Sequence, residues 1–256
     1  MSAAVRLQSL RKVFPDGTIG LDDVSLEVPA GDFVAILGRS GAGKSTLLRC
    51  ASRLIEPTSG RAFIGDLEVT GARGRALARA RARVGFVFQQ FNLIRSYTSL
   101  DNVLVARISH QSWLRGLIGL WSPADRAVAL RCLEEVGLSG KVDTPVRSLS
   151  GGQQQRVAVA RAFAQEPAAI FADEPTASLD PNLAATVLAM LKDYGRSRGV
   201  PVLVNVHTIE HARRYADRVI GLSAGRIVHD GPASALSDEA VEAIYAAPHA
   251  VAAEAP

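Results

Sequence analysis

Residues 33–46 read FVAILGRSGAGKST and join an apolar run to a glycine-rich loop. The five apolar residues at 33–37 are typical of a parallel strand that is buried on both faces. Residues 38–45 fit the pattern GxxxxGK[ST], in which a strand leads into a loop that opens a helix. The glycines let backbone N–H groups approach a phosphate, and the helix terminus adds positive potential. The stretch therefore predicts a phosphate-binding loop.

This loop is expected to hold a nucleotide and its metal. Lys44 should reach the β- and γ-phosphates, and the Ser45 hydroxyl should bind Mg²⁺. A chance glycine-rich turn is the alternative, but it does not explain a full match across residues 38–45. The expected nucleotide contacts of the loop are Gly38, Arg39, Ser40, Gly41, Ala42, Gly43, Lys44, Ser45 and Thr46.

Outward from the loop, apolar runs alternate with helical patterns. Alternation of this kind predicts an α/β fold with a mostly parallel sheet and helices on both faces. Alternating apolar residues at 5–7 and 24–28 predict an N-terminal antiparallel β part. Residues 91–147 lack a strong strand pattern and predict an inserted helical lobe. We therefore expect one nucleotide-binding domain over residues 1–236 and a short tail, partly helical, over residues 237–256.

Residue types at helix ends predict where several helices begin or stop. The helix over residues 181–198 starts at a proline and stops at Gly199, which are the residue types preferred at those positions. A helix is also predicted over residues 153–165, and we expect Thr208 to cap a short helix that follows it in the chain.

The composition of the 256-residue chain, 48% hydrophobic and 21% charged, is typical of a globular protein. Its apolar runs are far shorter than a bilayer span, and residues 1–11 show no secretory signal. We therefore expect a soluble chain made in the cytosol, whose membrane contacts come through partners. Cys50 and Cys132 fit neither a disulfide framework nor a metal pattern and are expected to be buried, unreactive thiols.

The formal net charge of +4 is mild, and most basic residues are dispersed. The one dense basic cluster alternates arginines with small residues, and we interpret it as a solvated helix face. No nucleic-acid partner is therefore expected. The cluster comprises Arg73, Arg75, Arg79, Arg81 and Arg83.

A second group of polar residues begins where the apolar run at 168–172 ends in Asp173 and Glu174. Open α/β sheets bind ligands at the carboxyl ends of their strands. There Asp173 suits Mg²⁺, through a water, and Glu174 can orient or deprotonate the attacking water. A base of this type contributes about 10²–10⁴-fold to rate. Two surface acids opening a turn are the alternative, disfavoured because an apolar strand leads directly into them.

Gln89 and His207 also end strands. Either residue could be an ordinary polar side chain with satisfied hydrogen bonds, but their shared position at strand ends favours a functional role. We expect His207 to contact the γ-phosphate. We expect Gln89 to touch Mg²⁺ or the water and to sense whether they are present.

Residues 149–156 read LSGGQQQR and open a helix with a hydroxyl and two bare N–H groups, a second anion site. Because Lys44 already holds the one γ-phosphate, this second site is assigned to the ATP of another copy. Two copies related by a two-fold axis would share two ATP molecules and open when hydrolysis removes the bridging charge. The expected contacts of the second site are Ser150, Gly151, Gly152 and Gln153.

With these motifs together, the chain resembles the ATP-binding subunit of an ABC transporter over nearly its whole length. The resemblance implies a P-loop NTPase core, ATP hydrolysis with Mg²⁺, and docking on membrane subunits. It also implies that residues 178–180 cross the dimer interface, with Asp180 near the nucleotide. Phe14 falls where the family carries a tyrosine that stacks on adenine, and it keeps the π-face without the hydroxyl.

A narrower resemblance is to the phosphonate-import branch, carried by FQQFNL at 88–93, LSGGQQQR at 149–156 and RYADR at 214–218. The segment at 113–121, WLRGLIGLW, adds to it and suits either lobe packing or contact with a membrane partner. This resemblance implies a peripheral subunit on the cytoplasmic face of the inner cell membrane. Its implied partners are a second copy, two transmembrane permease subunits and, indirectly, an extracytoplasmic phosphonate-binding protein.

Other functions stay open at this point. The subunit binds ATP rather than cargo, so an importer of phosphite or another small oxyanion is an alternative. A soluble ABC ATPase acting on nucleic acid or ribosomes is a different class, disfavoured because long coiled coils or a second cassette are missing. A P-loop kinase would have no use for residues 149–156.

Overall fold

The computed structural model describes residues 4–110, 120–177 and 179–246, so the expectations for residues 113–119, Ser178 and the tail beyond residue 246 lie outside it. The strands are β1 (Val5–Val13), β2 (Ile19–Val28), β3 (Phe33–Leu37), β4 (Ser59–Ile64), β5 (Leu67–Glu68), β6 (Val84–Val87), β7 (Ala169–Ala172), β8 (Val202–Asn205), β9 (Arg218–Ser223) and β10 (Arg226–Pro232). The α-helices are α1 (Lys44–Ala51), α2 (Gly74–Ala82), α3 (Ser99–Leu104), α4 (Pro123–Glu135), α5 (Gly151–Ala164), α6 (Pro181–Arg198), α7 (Ile209–Tyr215) and α8 (Asp238–Tyr245). Short 3₁₀ helices lie at Val105–His110, Ser139–Lys141, Val146–Ser148 and Ala233–Ala235.

The smaller sheet is antiparallel, with strand order β2-β1-β4-β5. Val5 lies opposite Val28, and Leu7 lies opposite Leu26, so these buried side chains share one face. Strand geometry explains the alternating apolar residues in this part of the sequence, because successive strand residues point to opposite faces of the sheet. The prediction of an antiparallel β part is confirmed.

The larger sheet has strand order β10-β9-β3-β8-β7-β6, and all its pairs are parallel except β10 with β9. Every residue of β3, β7 and β8 is buried, as expected for a mostly parallel sheet with covered faces. Because parallel strands run in one direction, the carboxyl ends of β3, β6, β7 and β8 lie at one edge. That edge carries the predicted site residues.

Helices α3, α4 and α5 contact one another beside this sheet. Between residues 91 and 147, the described part of the chain contains helices and an isolated bridge from Thr98 to Pro145, but no strand. The prediction of an inserted helical lobe is confirmed. The domain limit at residue 236 stays a prediction, and α8 beyond it packs against β9 and β10 through the buried Ile244.

One helix start differs from expectation. Helix α5 begins at Gly151 rather than residue 153, because Ser150 and Gln153 form a reciprocal capping box. Thr208 occupies the N-cap position of α7, as predicted, although its hydroxyl accepts no helix N–H.

The arginine cluster lies on and around α2, and all five of its side chains are exposed, as the interpretation of a solvated helix face requires. No helix within the described ranges is both long and apolar enough to cross a membrane.

Candidate functional site

The glycine-rich loop turns from the carboxyl end of β3 into α1 through left-handed backbone conformations. Gly38 has φ +151° and Gly43 has φ +103°. A Cβ at Gly43 would collide with the carbonyl oxygen of Gly20, and one at Gly38 would collide with that of Leu222. Only glycine fits both the dihedral angle and the space at these positions, which explains the loop's composition.

A cavity of about 300 Å³ lies over this loop. One wall comes from the turn between β1 and β2, and the opposite wall comes from the loop and the end of β7. Phe14 lies in the first wall, as expected of a residue that would stack on a base. The lining residues are Phe14, Thr18, Ile19, Gly20, Ser40, Gly41, Gly43, Lys44, Ser45, Thr46 and Glu174.

Lys44 is folded over the loop and is 5% exposed. Its Nζ donates to the carbonyl oxygens of Gly38, at 2.7 Å, and Arg39, at 3.0 Å. Burial lowers the pKa of the Lys44 ammonium, while the charges of Glu174 and Asp173 oppose that shift. The lysine therefore lines the cavity as a buried cation held by backbone carbonyls.

Asp173 is the centre of a hydrogen-bond network and is 1% exposed. Its Oδ1 accepts from the Ser45 hydroxyl and from Asn205 Nδ2, both at 2.7 Å. Its Oδ2 accepts from Arg49 at 3.0 Å. The structure thus brings the two predicted metal ligands, Ser45 and Asp173, into direct contact.

This donor set fits Mg²⁺. Hydroxyl and carboxylate oxygens are the ligands that this cation prefers. The side-chain oxygen of Asn205 is also buried beside Asp173 and has no hydrogen-bond partner among the described residues. Asn205 and Arg49 are contacts that the sequence interpretation missed. A polar residue ending the apolar run of β8 is the signal that points to Asn205.

Glu174 follows Asp173 and faces the same cavity. Its φ of +52° lies in the left-handed region, which is strained for a residue other than glycine. Its Oε2 lies 2.8 Å from Nε2 of His207, whose side chain is half exposed. The predicted base and the predicted phosphate contact therefore touch each other at the edge of the cavity.

Gln89 lies apart from this group. It is exposed, occupies the turn after β6, and is not among the residues that line the cavity.

The second anion site also lies apart from the cavity of its own chain. None of Ser150, Gly151, Gly152 and Gln153 is among the cavity-lining residues described above. The Ser150 hydroxyl accepts from the Gln153 N–H at 3.3 Å. Gly151 is exposed, whereas Gly152 is buried against Leu183. Asp180 caps α6 by accepting from the N–H groups of Asn182 and Leu183. The use of these residues by a second copy stays a prediction.

Comparison with known proteins identifies the family. The sequence profile described as ABC transporter matches residues 21–177. The chain is 43% identical over 241 residues to a phosphonates import ATP-binding protein of Halalkalibacterium halodurans, covering 94% of this chain and 99% of the relative. It is 43% identical over 249 residues to the protein of the same description from Bordetella parapertussis, covering 96% and 97%.

A solved structure agrees with these relatives. An ATP-binding cassette in a dimeric, post-hydrolysis state bound to ADP and phosphate has a TM-score of 0.80 and 35% identity. The match covers 90% of this chain and 98% of that one. On this sequence, fold and site, the chain belongs to the ABC transporter family and is an ATP-binding, ATP-hydrolysing member of it.

Proposed function

We propose that this chain is the ATPase subunit of an importer that takes up phosphonates across the inner membrane. The observation that carries the ATPase part is the contact of Ser45 with Asp173 beside the cavity that Glu174 faces. The cargo rests on relatives that are 43–46% identical and carry the description phosphonates import ATP-binding protein. Import of phosphite or another small oxyanion is the second candidate for cargo.

In this proposal ATP occupies the cavity over the glycine-rich loop. The adenine stacks on Phe14, and the loop N–H groups from Gly38 to Thr46 surround the phosphates. Lys44 gives up its contacts with the loop carbonyls to reach the β- and γ-phosphates. Ser45, Asp173 and Gln89 would hold Mg²⁺, which would neutralise charge on the phosphate oxygens.

Hydrolysis uses the pair formed by Glu174 and His207. Glu174 orients a water, and its carboxylate accepts the proton as the water oxygen attacks the γ-phosphorus. The bond from that phosphorus to the β–γ bridging oxygen breaks and releases ADP. His207 contacts the γ-phosphate and, through the 2.8 Å contact between its Nε2 and the Glu174 Oε2, keeps the carboxylate in position.

A second copy completes each site. The tip of α5, formed by Ser150, Gly151, Gly152 and Gln153, binds the γ-phosphate held by the other protomer, and Asp180 lies at the same interface. Hydrolysis removes the bridging charge and lets the dimer open. The nucleotide-binding domain is proposed to span residues 1–236, with residues 237–256 as its tail.

The proposed assembly contains two copies of this chain, two transmembrane permease subunits and an extracytoplasmic phosphonate-binding protein that acts indirectly. The chain lies at the cytoplasmic face of the inner membrane and has no nucleic-acid partner. Support comes from the family and from the descriptions of the relatives as import ATP-binding proteins.

Uptake of labelled substrate tests this function. Cells deleted for the gene should regain uptake of ¹⁴C-methylphosphonate when they express the chain, but not when they express Glu174→Gln. The matched control is Glu242→Gln, an exposed glutamate on α8, which should restore uptake fully. Uptake of phosphite instead of methylphosphonate would select the second cargo. Recovery of the chain with ribosomes and not with membranes would contradict the importer.

A further inference from the structure

Arg161 connects two parts of the molecule that the proposed function treats separately. It lies in the last turn of α5, and its guanidinium donates to the carbonyl oxygens of Asn92, at 2.6 Å, and Phe91, at 2.8 Å. Both residues belong to the loop that follows Gln89. One planar side chain therefore binds two successive carbonyls, a geometry that arginine's fixed fork favours.

The bound segment is strained. Phe91 has φ +56° and Asn92 has φ +50°, so two successive residues other than glycine adopt the left-handed conformation. Such residues persist only where the surroundings hold them. The two hydrogen bonds from Arg161 are the contacts that fix both carbonyls in this turn.

The two carbonyl groups are the hydrogen-bond partners of the Arg161 guanidinium. Among the described residues it has no acidic partner, so the two carbonyls alone compensate its partly buried charge. Burial lowers the pKa of the guanidinium, as expected for a cation held only by dipoles. Arg107, a buried arginine in the 3₁₀ helix Val105–His110, instead pairs with Asp125 and Glu166.

The two ends of this connection are Gln89 and Ser150. Gln89 lies two residues before Phe91, and Ser150 caps the other end of the helix that carries Arg161. The eleven-position separation of Ser150 and Arg161 corresponds to about 16 Å of helix. Gln89 is exposed and does not line the cavity, so it contacts bound nucleotide only after its side chain or its turn rearranges. Any movement of the turn at Phe91 and Asn92 either displaces α5 or breaks both hydrogen bonds from Arg161.

We propose that Arg161 is a positioning residue that transmits movement of the Gln89 loop to α5, and so sets the tip at Ser150 for the nucleotide of the second copy. The inference rests on the proposed function, in which Gln89 senses metal or water and Ser150 reaches across the dimer. Arg161 itself is not among the residues that line the cavity over the glycine-rich loop.

A double-mutant cycle on ATP-dependent dimerisation tests it, in a Glu174→Gln background that retains ATP. Arg161→Gln and Gln89→Ala should each weaken dimerisation about tenfold, and the double variant should be no weaker than the worse single variant. ATP affinity of the isolated protomer should stay within about twofold of the parent, because the loop around Lys44 is untouched. Arg161→Lys, which keeps the charge and a donor, should restore part of the loss.

Arg156 supplies the matched control. It lies on the same helix and also donates to two successive carbonyls, those of Val136 and Gly137 at the end of α4. The effect of Arg156→Gln should add to that of Gln89→Ala. Additive effects of Arg161→Gln and Gln89→Ala would overturn the connection. So would loss of folding in both Arg161 variants, which would make the residue merely structural.

Ser150→Arg in the same assay separates this inference from the proposed function. If Ser150→Arg blocks dimerisation while Arg161 and Gln89 act additively, only the role of Arg161 is overturned. If Ser150→Arg dimerises normally, the shared nucleotide site is wrong and the inference falls with it.

Discussion

At the scale of single residues, the hydrolytic step depends on Glu174. Replacing it with glutamine keeps the shape and removes the proton acceptor, so ATP binding should persist while turnover falls about 10²–10⁴-fold. ATP binding by a fluorescent analogue and phosphate release under the same conditions check this. The dimer should then accumulate with ATP, because the charge that bridges it is no longer removed. Normal turnover by Glu174→Gln would remove Glu174 from its role as base.

The two thiols make a second prediction at this scale. Burial raises the pKa of Cys50 to about 11 and that of Cys132 to about 12, from 9.0. The folded state therefore keeps these protons when the unfolded chain loses them. The contribution of the two thiols to the free energy of unfolding should be fully present below pH 9, and it should be lost as the pH rises toward 11 and 12. A Cys50→Ala, Cys132→Ala variant should show a flatter alkaline loss of unfolding free energy in denaturant titrations.

The same residues show how far sequence reasoning reaches at this scale. The sequence predicts the motif around Lys44 and the pair Asp173 and Glu174, because each depends on residue types that are adjacent in the chain. Asn205 and Arg49 contact Asp173 only after folding brings β8 and α1 to β7. No local sequence pattern predicts the contact between Arg49 and Asp173. From the sequence alone, Arg49 is indistinguishable from an ordinary arginine on a helix surface.

At the scale of elements, Asp180 tests whether one side chain has two tasks. It accepts from two N–H groups at the start of α6, so Asp180→Ala should cost about 1 kcal/mol of stability. Asp180→Ser should keep the cap and most of that stability. If the residue also acts at the interface, Asp180→Ser should still weaken ATP-dependent dimerisation. Thermal unfolding and sedimentation of both variants give the two readouts, and normal dimerisation by Asp180→Ser would limit the residue to capping.

Elements differ in how well the sequence specifies them. Helix α6 spans Pro181–Arg198, as predicted, because a proline starts it and Gly199, at φ +62°, ends it. Helix α3 has six residues and β5 has two, too few for a periodic pattern to identify. The start of α5 shows a third case. The pair Ser150 and Gln153 has the spacing of a capping box, and that spacing moves the start to Gly151.

At the scale of the whole molecule, strand order is the feature that local patterns leave open. The alternation of strands and helices predicts a parallel sheet, but β3 pairs with β8 and β9, which follow it much later in the chain. Those pairings depend on burial across the finished sheet and not on any neighbouring sequence. They nevertheless decide function, because they place the ends of β3, β7 and β8 at one edge.

The closed dimer gives the prediction that belongs to this scale. Ser150→Arg puts a long cation at the tip of α5, where a γ-phosphate from the second copy should dock against bare N–H groups. ATP binding by one protomer should be unchanged, because Ser150 does not line that protomer's own cavity. Dimerisation with ATP in the Glu174→Gln background should be lost, because the side chain fills the space the phosphate needs. Sedimentation with and without ATP measures it.

Ser139→Arg is the matched control for this experiment, since Ser139 is an exposed serine of the helical lobe in the 3₁₀ helix Ser139–Lys141. It adds the same charge to the same part of the molecule without touching the tip of α5. Loss of dimerisation in both variants would point to net charge rather than to a docked phosphate. Loss in Ser150→Arg alone supports an arrangement in which each chain holds its ATP on the loop around Lys44 and offers its serine tip to the other, so that neither hydrolytic site is complete in a single copy.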